Sequence, residues 1–304
     1  MDGQLTLRQA AEELGVHYMT VYKYVRTGRL PAVQHGTEWR VAPADLEVLR
    51  ASRAAAVPSD GRPGRPAGPS RRTTSARLEA RLLASDEPGA WAVVESALAS
   101  GASPSDVHLD LLGPALVDVG DQWALGTLTT ADEHRASAVA ARIVGRLGPQ
   151  FMRRGRRRGT ILIGMAEGEQ HSLPGAMLVD LLRAAGFAAV DLGASTPPAT
   201  FVDAARATPH LLAIGVGAQL SARLPVIGAT VAHLREAGIT VPVLVGGRGV
   251  PTEADARATG ADGWTGTGGA SAVAAFEAAV QARGERSDAS STAAAAASAG
   301  ARTR

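Results

Sequence analysis

The sequence predicts a multidomain protein of the α and α/β classes. A winged helix-turn-helix domain comes first, then a four-helix bundle, then a doubly wound, Rossmann-like parallel sheet. Three patterns along the 304 residues carry this prediction. Residues 1–50 combine two short helical periods with a hairpin pattern, and residues 76–152 show helical periods without a convincing strand. Residues 157–283 alternate apolar runs with helical runs, which is typical of a βα repeat.

Composition narrows the chemistry that this chain performs. Apolar residues make up 45% of the chain, which is enough for several cores. The absence of cysteine excludes disulfides, cysteine zinc sites and cysteine nucleophiles. The start, MDGQLTLRQA, lacks the hydrophobic segment of a signal peptide, and no apolar run reaches membrane-spanning length. We therefore expect a cytoplasmic protein.

The first fifty residues predict two helices and a hairpin. Thr6 and Gln9 fit a T-x-x-Q capping box that opens the first helix. A second helix is predicted at about 17–27, and a β-hairpin follows that turns at His35–Gly36. A short helix is expected from about Pro43. Two short helices joined by a tight turn indicate a helix-turn-helix.

This region, with GVHYMTVYKYVRTGRLPAV and then WRV, resembles the excisionase and MerR-type DNA-binding domains. The resemblance implies that the second helix enters the major groove of an operator duplex. The residues expected to contact phosphates are Thr20, Lys23 and Arg40, and those expected at base edges are Tyr18, Met19 and Tyr22. A single copy binds weakly, so we expect a dimer or tetramer. The domain's net charge of zero leaves a protein-binding helical module as the alternative.

Three segments lie outside these patterns. Residues 51–75 are rich in Pro, Gly, Ser and Arg, which predicts a flexible linker. Residues 284–304 have little apolar surface to bury, which predicts a disordered tail. The five arginines within 153–158 are interpreted as a solvated connection, with contact to DNA phosphates as the alternative.

The helical region carries an unusual spacing. Trp123 is followed ten positions later by Glu133 and then His134, at the start of a long predicted helix. Taken singly, Trp123 fits a core residue and His134 a surface residue. Glu133 fits a T-x-x-E capping box with Thr130. Taken with the pattern further along the chain, the three are interpreted as a set that faces a ligand.

A loop with an acid and a histidine follows the first strand of the predicted sheet. The apolar run GTILIG leads into MAEGEQHSLPGAMLVD, which contains Glu169 and His171. Ligands of doubly wound sheets bind outside the carboxyl ends of the strands. A neutral imidazole there binds a metal or cofactor, and an acid on its other nitrogen fixes the tautomer. The alternative is a loop histidine with an acidic neighbour by chance.

Two further strands end in glycine at the same edge. GVGAQL contains Gly217 and Leu220, and VLVGGRG contains Gly246 and Gly247. Because glycine has no side chain, these positions predict a slot in which a flat group inserts between strands.

The three loops together resemble the cobalamin-binding domain. Its pattern is an acid-x-His-x-x-Gly loop, a Ser-x-Leu turn about forty residues later, and then a Gly-Gly pair. The matching residues here are Glu169, His171, Gly217, Leu220 and Gly246–Gly247. The resemblance implies that His171 is the axial ligand of cobalt, replacing the cofactor's own base, which enters the glycine slot. Pro174 stands where the loop glycine is expected, and Gly217 stands where serine is expected.

The spacing of Trp123, Glu133 and His134 resembles the B12-dependent light-sensing transcriptional regulators of the CarH and LitR type. That resemblance implies adenosylcobalamin, with Trp123 against the adenosyl group and Glu133 hydrogen-bonded to it. It also implies a tetramer in the dark and smaller species in the light. A histidine that follows the tryptophan in light-sensing relatives is Ala124 here.

The sequence therefore predicts a cobalamin-binding transcriptional regulator, not an enzyme, that senses light through adenosylcobalamin. One alternative keeps cobalamin and senses its supply or the redox state without light, which Ala124 favours. The other is a corrinoid carrier for methyl transfer, which shares the bundle and the cobalamin domain but normally lacks a helix-turn-helix.

Overall fold

The computed structural model describes residues 4–14, 21–22, 24–25, 30–35, 38–55, 71–152 and 155–301. The chain divides into two compact units, Met1–Ala67 and Gly68–Arg304. Within the described residues, no helix is long and apolar enough to cross a membrane. Most of the predicted linker, residues 56–70, lies outside the residues that the structure describes.

The first unit contains a three-stranded antiparallel sheet and two described helices. Its elements are β1 (Leu5–Thr6), α1 (Leu7–Leu14), β2 (Val33–His35), β3 (Glu38–Val41) and α2 (Pro43–Ala55). The sheet order is β1-β3-β2. The predicted capping box is confirmed, because the Thr6 amide donates to Gln9 Oε1 at 2.9 Å and the Gln9 amide donates to Thr6 Oγ1 at 3.2 Å. The hairpin and the helix from Pro43 are also present.

The predicted DNA-contacting residues are only partly within the described chain. Tyr18, Met19, Thr20 and Lys23 lie outside the described residues. Tyr22 is half-buried and packs partly against the small core, so only part of its side chain faces outward. Its contact with a base edge stays a prediction. The ring carbons of Tyr22 shield part of this small core from solvent. Arg40 on β3 is also half-buried.

Residues 71–152, called here the helical subdomain, contain helices and turns throughout. The elements are α3 (Arg71–Leu83), α4 (Glu87–Ala99), a turn of helix (Pro104–Asp106), a π-helix (Val107–Leu112), α5 (Gly113–Ala124), α6 (Thr130–Leu147) and a 3₁₀ turn (Gly148–Phe151). Their apolar faces share one core, which includes Leu78, Leu112 and Ile143. Leu181 of the following domain belongs to the same core, so the two regions pack together.

The capping box of α6 differs from the predicted one. The Thr129 side chain accepts from the Asp132 amide, and Asp132 accepts from the Thr129 amide at 2.9 Å. The helix begins one residue earlier than the pairing of Thr130 with Glu133 requires. That pairing is therefore wrong, and Glu133 is not needed to cap the helix.

Residues 155–301, called here the sheet domain, form the predicted parallel sheet. The strands are β4 (Thr160–Met165), β5 (Ala188–Asp191), β6 (Leu211–Gly217), β7 (Val243–Gly246) and β8 (Gly263–Trp264), in the order β5-β4-β6-β7-β8. The helices are α7 (Leu173–Ala184), α8 (Pro198–Ala207), α9 (Leu224–Glu236), α10 (Glu253–Ala258) and α11 (Gly269–Ala301).

The sheet is covered on both faces because its strands are apolar on both sides. Ile161 and Ile163 of β4 pack with Phe276 of α11, and the α7 side chains join them. Leu162 points to the opposite face, where it packs with Phe201 of α8 and with α9. Period-two alternation on a fully buried strand produces this doubly wound arrangement.

The end of the chain differs from the prediction. Residues 284–301 continue α11 instead of forming a disordered tail. The run is rich in alanine, which has the highest intrinsic helix propensity, so helix forms there without a large apolar face. In the arginine run, Arg158 pairs with Glu277 at 2.7 Å, while Arg153 and Arg154 lie outside the described residues.

Candidate functional site

The strand order creates a crevice at one edge of the sheet. The chain leaves β4 in one direction to form β5 and crosses back to form β6 on the other side of β4. The loops after β4 and β6 therefore diverge at their carboxyl ends, which is where doubly wound folds bind ligands. The two loops begin in contact, because the Ala166 amide donates to the Gly217 carbonyl at 2.9 Å.

Glu169 and His171 form the polar centre of this edge. The Glu169 side chain is fully buried, and its Oε1 accepts a hydrogen bond from His171 Nδ1. Its Oε2 accepts from the amides of Gln219 at 2.8 Å and Leu220 at 3.2 Å, in the loop after β6. One carboxylate thus orients the imidazole and ties the two loops together. The predicted role of Glu169 as the partner of the imidazole matches this geometry.

The electrostatics of the pair follow from these contacts. Burial by itself raises the pKa of Glu169, but hydrogen bonds from the His171 side chain and from the Gln219 and His171 amides outweigh it and lower the pKa to about 2. The hydrogen bond to Glu169 raises the pKa of His171 against the opposing effect of burial. The negative charge of Glu133 raises it further, so this residue of the helical subdomain acts on the imidazole.

The donor set fits an axial ligand to a metal that arrives in its own cofactor. With Nδ1 bound to Glu169, the remaining ring nitrogen of His171 is Nε2, on a side chain that is 40% exposed. No group of three or more His, Asp or Glu side chains able to hold a metal occurs among the described residues. A metal at His171 would therefore take one imidazole from the described residues and would need its other ligands from a cofactor. A corrin supplies its cobalt in this way.

The glycines of this edge serve close packing in the structure. A Cβ on Gly217 would lie 2.9 Å from Met165 Sδ, and one on Gly246 would lie 1.8 Å from Thr265 Oγ1. Gly247 has a φ of +92°, and a Cβ there would lie 2.3 Å from the Ala218 carbonyl oxygen. Among the described residues, neighbouring atoms thus occupy the positions that side chains on these glycines would take. Any side chain at these three positions would therefore clash with its neighbours. The slot for a flat group stays a prediction.

The three residues singled out in the helical subdomain occupy different environments. Trp123 ends α5 with 39% of its surface exposed, and its Nε1 donates to Thr130 Oγ1 at 3.3 Å. Glu133 is mostly covered and accepts from Ser137 Oγ at 2.6 Å. The His134 side chain is 73% exposed, and its Nδ1 lies 2.8 Å from the Thr130 carbonyl. Trp123 thus contacts the first turn of α6, which also contains Glu133, and the His134 side chain faces solvent.

Two polar side-chain contacts between the helical subdomain and the sheet domain were not predicted from the sequence. Arg248, directly after the glycine pair, bridges to Asp121 on α5 at 2.5 Å. His108 Nε2 lies 3.2 Å from Asp180 Oδ2, and both side chains are buried. Each link joins residues more than seventy positions apart, so no local pattern signals it.

Family comparisons agree with this architecture. Residues 5–54 match a helix-turn-helix domain, and residues 74–147 and 159–276 match two family models, each described as a B12 binding domain. The chain therefore combines a helix-turn-helix match with two B12-binding matches, in that order.

Two similar proteins carry the name trimethylamine corrinoid protein 1. Trimethylamine corrinoid protein 1 of Methanosarcina acetivorans is 33% identical over 126 residues, which is 40% of this chain and 57% of that protein. Its counterpart from Methanosarcina mazei is 32% identical over 124 residues, 40% and 57% respectively. The chain thus spans little more than half the length of these relatives. The solved monomethylamine corrinoid protein of Methanosarcina barkeri matches 69% of this chain and 100% of its own, with a TM-score of 0.61 and 19% identity, which shows a shared fold.

Proposed function

We propose that this protein is a transcriptional regulator that binds operator DNA through its N-terminal domain and responds to cobalamin bound in the sheet-edge crevice. The observation that carries the proposal is the helix-turn-helix match at residues 5–54, in one chain with two B12-binding matches. A helix-turn-helix domain that binds DNA fits a regulator better than it fits a protein that only carries a corrinoid.

The residues at the edge support a specific mode of cobalamin binding. His171 offers Nε2 to cobalt, while Glu169 holds Nδ1 and fixes both the tautomer and the ring orientation. Because Glu169 also binds the Gln219 and Leu220 amides, a shift of the His171 loop on binding reaches the loop after β6. The adenosyl form of the cofactor supplies a cobalt–carbon bond that visible light breaks, and we propose light as the trigger.

The helical subdomain supplies the responding element. The exposed indole of Trp123 and the electrostatic effect of Glu133 on His171 support the proposal that both residues contact an upper ligand. The Asp121–Arg248 ion pair links the same helix to the glycine loop. A change in what Trp123 packs against shifts α5 between two arrangements, which is the bistable element that a switch requires. A change from tetramer to smaller species then lowers the avidity of several weak DNA modules.

The test uses the full chain loaded with adenosylcobalamin in the dark. A duplex selected by the dark protein from a random pool serves as the operator. We expect green light to change the absorption spectrum, the oligomer mass and the affinity for that duplex together. If neither the oligomer mass nor the affinity for the duplex changes on illumination, light is not the trigger. Failure of any form to bind DNA would contradict the regulator.

The names of the relatives favour a second candidate, a corrinoid carrier for methyl transfer. In that case His171 holds a corrinoid that accepts and donates a methyl group, and the N-terminal domain docks a protein. Transfer of the methyl group from a methylcobalamin-loaded chain to a thiol acceptor, at a rate above that of free methylcobalamin, would support it.

A third candidate keeps DNA binding and removes light. Ala124 follows Trp123, so the side chain there offers no imidazole to the upper face. Comparison of DNA binding by the apoprotein and by the adenosyl- and methylcobalamin forms in darkness separates this candidate from the first. A difference in darkness together with no effect of light supports a sensor of cobalamin supply.

A further inference from the structure

Arg223 brings a positive charge to the crevice edge. It ends the 3₁₀ turn Ser221–Arg223, directly after the loop that follows β6. Its guanidinium lies against the backbone of Gly168 in the loop after β4, because a Cβ on Gly168 would sit 2.7 Å from Arg223 Nη1. Gly168 directly precedes Glu169. The guanidinium therefore spans the same two loops that the Glu169 carboxylate joins.

Arg223 has no partner among the described residues. Its Nε is buried without a hydrogen bond, and its side chain forms no ion pair with a described carboxylate. Other arginines of the sheet domain do pair with carboxylates: Arg158, Arg183, Arg235, Arg248 and Arg257. Partial burial of an unpaired guanidinium costs free energy, unless a ligand supplies the acceptor.

We propose that Arg223 binds the phosphodiester of the cobalamin nucleotide tail. This inference rests on the proposed binding of cobalamin in the crevice. The phosphodiester is the anion of that tail, whereas the acetamide and propionamide side chains of the corrin are neutral. A guanidinium is a planar fork of donors that matches phosphate oxygens. Its position directly after the β6 loop lies at the switch point between β4 and β6, where doubly wound sheets bind ligands.

Three probes separate the phosphate from the rest of the ligand. Hydroxocobalamin carries the phosphodiester and the base, cobinamide phosphate carries a phosphate without the base, and cobinamide carries neither. Affinities are measured by absorbance titration on the full chain, for wild type, Arg223→Gln and Arg223→Lys. Arg257→Gln is the matched control, because Arg257 is an exposed arginine paired with Glu253 on α10. Circular dichroism melts verify that each variant folds.

We expect Arg223→Gln to bind hydroxocobalamin and cobinamide phosphate about tenfold or more weakly than wild type does. This is the usual effect of losing a charge-assisted hydrogen bond. Cobinamide is expected to change by less than about threefold. Arg223→Lys keeps the charge and is expected to retain most of the affinity, while Arg257→Gln matches wild type. Added salt is expected to weaken the binding of the two phosphate-bearing probes more in wild type than in Arg223→Gln, because salt screens the charge of Arg223.

Other results overturn the proposal. Equal losses for all three probes would assign Arg223 to loop packing. An unchanged affinity for cobinamide phosphate in Arg223→Gln would remove the anion contact, while cobalamin binding itself stands. Failure of the wild-type chain to bind any of the three probes would overturn the cobalamin site as well, which is a distinguishable outcome.

Discussion

Glu169 Oε1 accepts a hydrogen bond from Nδ1 of His171, two residues further along the same loop. The contact leaves Nε2 of the imidazole as the nitrogen for a ligand. The Glu169 carboxylate is buried, and its second oxygen, Oε2, accepts a hydrogen bond from the Gln219 amide in the loop after β6. Orientation of the imidazole and cohesion of the crevice thus depend on one side chain.

Removal of the imidazole tests the cobalt ligand. We expect His171→Ala to bind hydroxocobalamin at least about tenfold more weakly, because the axial ligand is lost. The bound cofactor is also expected to lose the spectrum of a histidine-ligated corrin. Absorbance titration measures both effects. His233→Ala is the control, since His233 is exposed on α9. Equal affinity and spectrum in His171→Ala and His233→Ala would remove His171 from the site.

Replacement of Glu169 is expected to destabilise the apoprotein in a pH-dependent way. The carboxyl has a pKa lowered from 4.5 to about 2, so its contribution is present above 4.5 and is lost as pH falls towards 2. The pKa of His171 is raised above 6.5, so its contribution is present below 6.5 and is lost as pH rises through the raised value. Glu169→Gln is therefore expected to lower the free energy of unfolding most between pH 4.5 and 6.5, by about 2 kcal/mol.

Urea unfolding at pH 3, 5.5 and 8.5 checks this expectation. Glu253→Gln serves as the control, because its carboxylate is exposed in an ion pair on α10. A difference between wild type and Glu169→Gln that stays constant across the three pH values would contradict the linkage of the two groups.

Trp123 is expected to distinguish the upper ligands of cobalamin. The half-exposed indole offers apolar area to an adenosyl group and little to a hydroxide. Trp123→Ala is thus predicted to lower the affinity for adenosylcobalamin about tenfold more than that for hydroxocobalamin. Titrations in darkness measure both. Leu125→Ala, two residues away and 40% exposed, controls for a general disturbance of the helix end. Equal losses for both cobalamins would contradict an adenosyl contact.

The buried His108–Asp180 pair is expected to hold the helical subdomain on the sheet domain. Removal of Asp180 leaves both ring nitrogens of the buried His108 without a hydrogen bond, because Nδ1 already has none. Removal of His108 takes away one partner of the buried Asp180 carboxylate, which retains Arg183 at 3.2 Å. We predict losses of about 3 kcal/mol for His108→Ala and for Asp180→Ala. The double variant is expected to show a coupling of about 1–2 kcal/mol in urea unfolding.

A control cycle combines His108→Ala with Asp262→Ala, whose carboxylate pairs with Arg235 instead. The losses in free energy of unfolding from those two substitutions are expected to be additive within about 0.5 kcal/mol. Additivity in the His108–Asp180 cycle as well would contradict a coupled pair.

Glycine at position 246 is expected to be required for packing. A Cβ there would meet Thr265 Oγ1 at 1.8 Å and the Gly266 carbonyl oxygen at 2.8 Å, so Gly246→Ala is predicted to destabilise by about 2–3 kcal/mol. Gly145→Ala is the matched control on α6, where a Cβ meets nothing within 4 Å. It is expected to stabilise by about 0.5–1 kcal/mol through helix propensity. Thermal unfolding compares them, and a neutral Gly246→Ala would contradict the close approach.

The amino-acid sequence by itself determined the parallel sheet and the loop that carries Glu169 and His171. Five apolar runs separated by helical periods allow few other arrangements, and the rules of doubly wound sheets place the strand ends at one edge. The Thr6–Gln9 capping box was likewise readable, because its partners are three residues apart. Local spacing carries all of this information.

Tertiary structure alone decided the contacts between distant segments. The sequence does not show that Met165 and Thr265 fill the space beside Gly217 and Gly246, or that Arg248 reaches Asp121. Nor does it show that Arg223 lies against Gly168 with a buried, unpaired Nε. These facts depend on how side chains from separate elements share volume and charge, and no periodic pattern in the chain encodes that sharing.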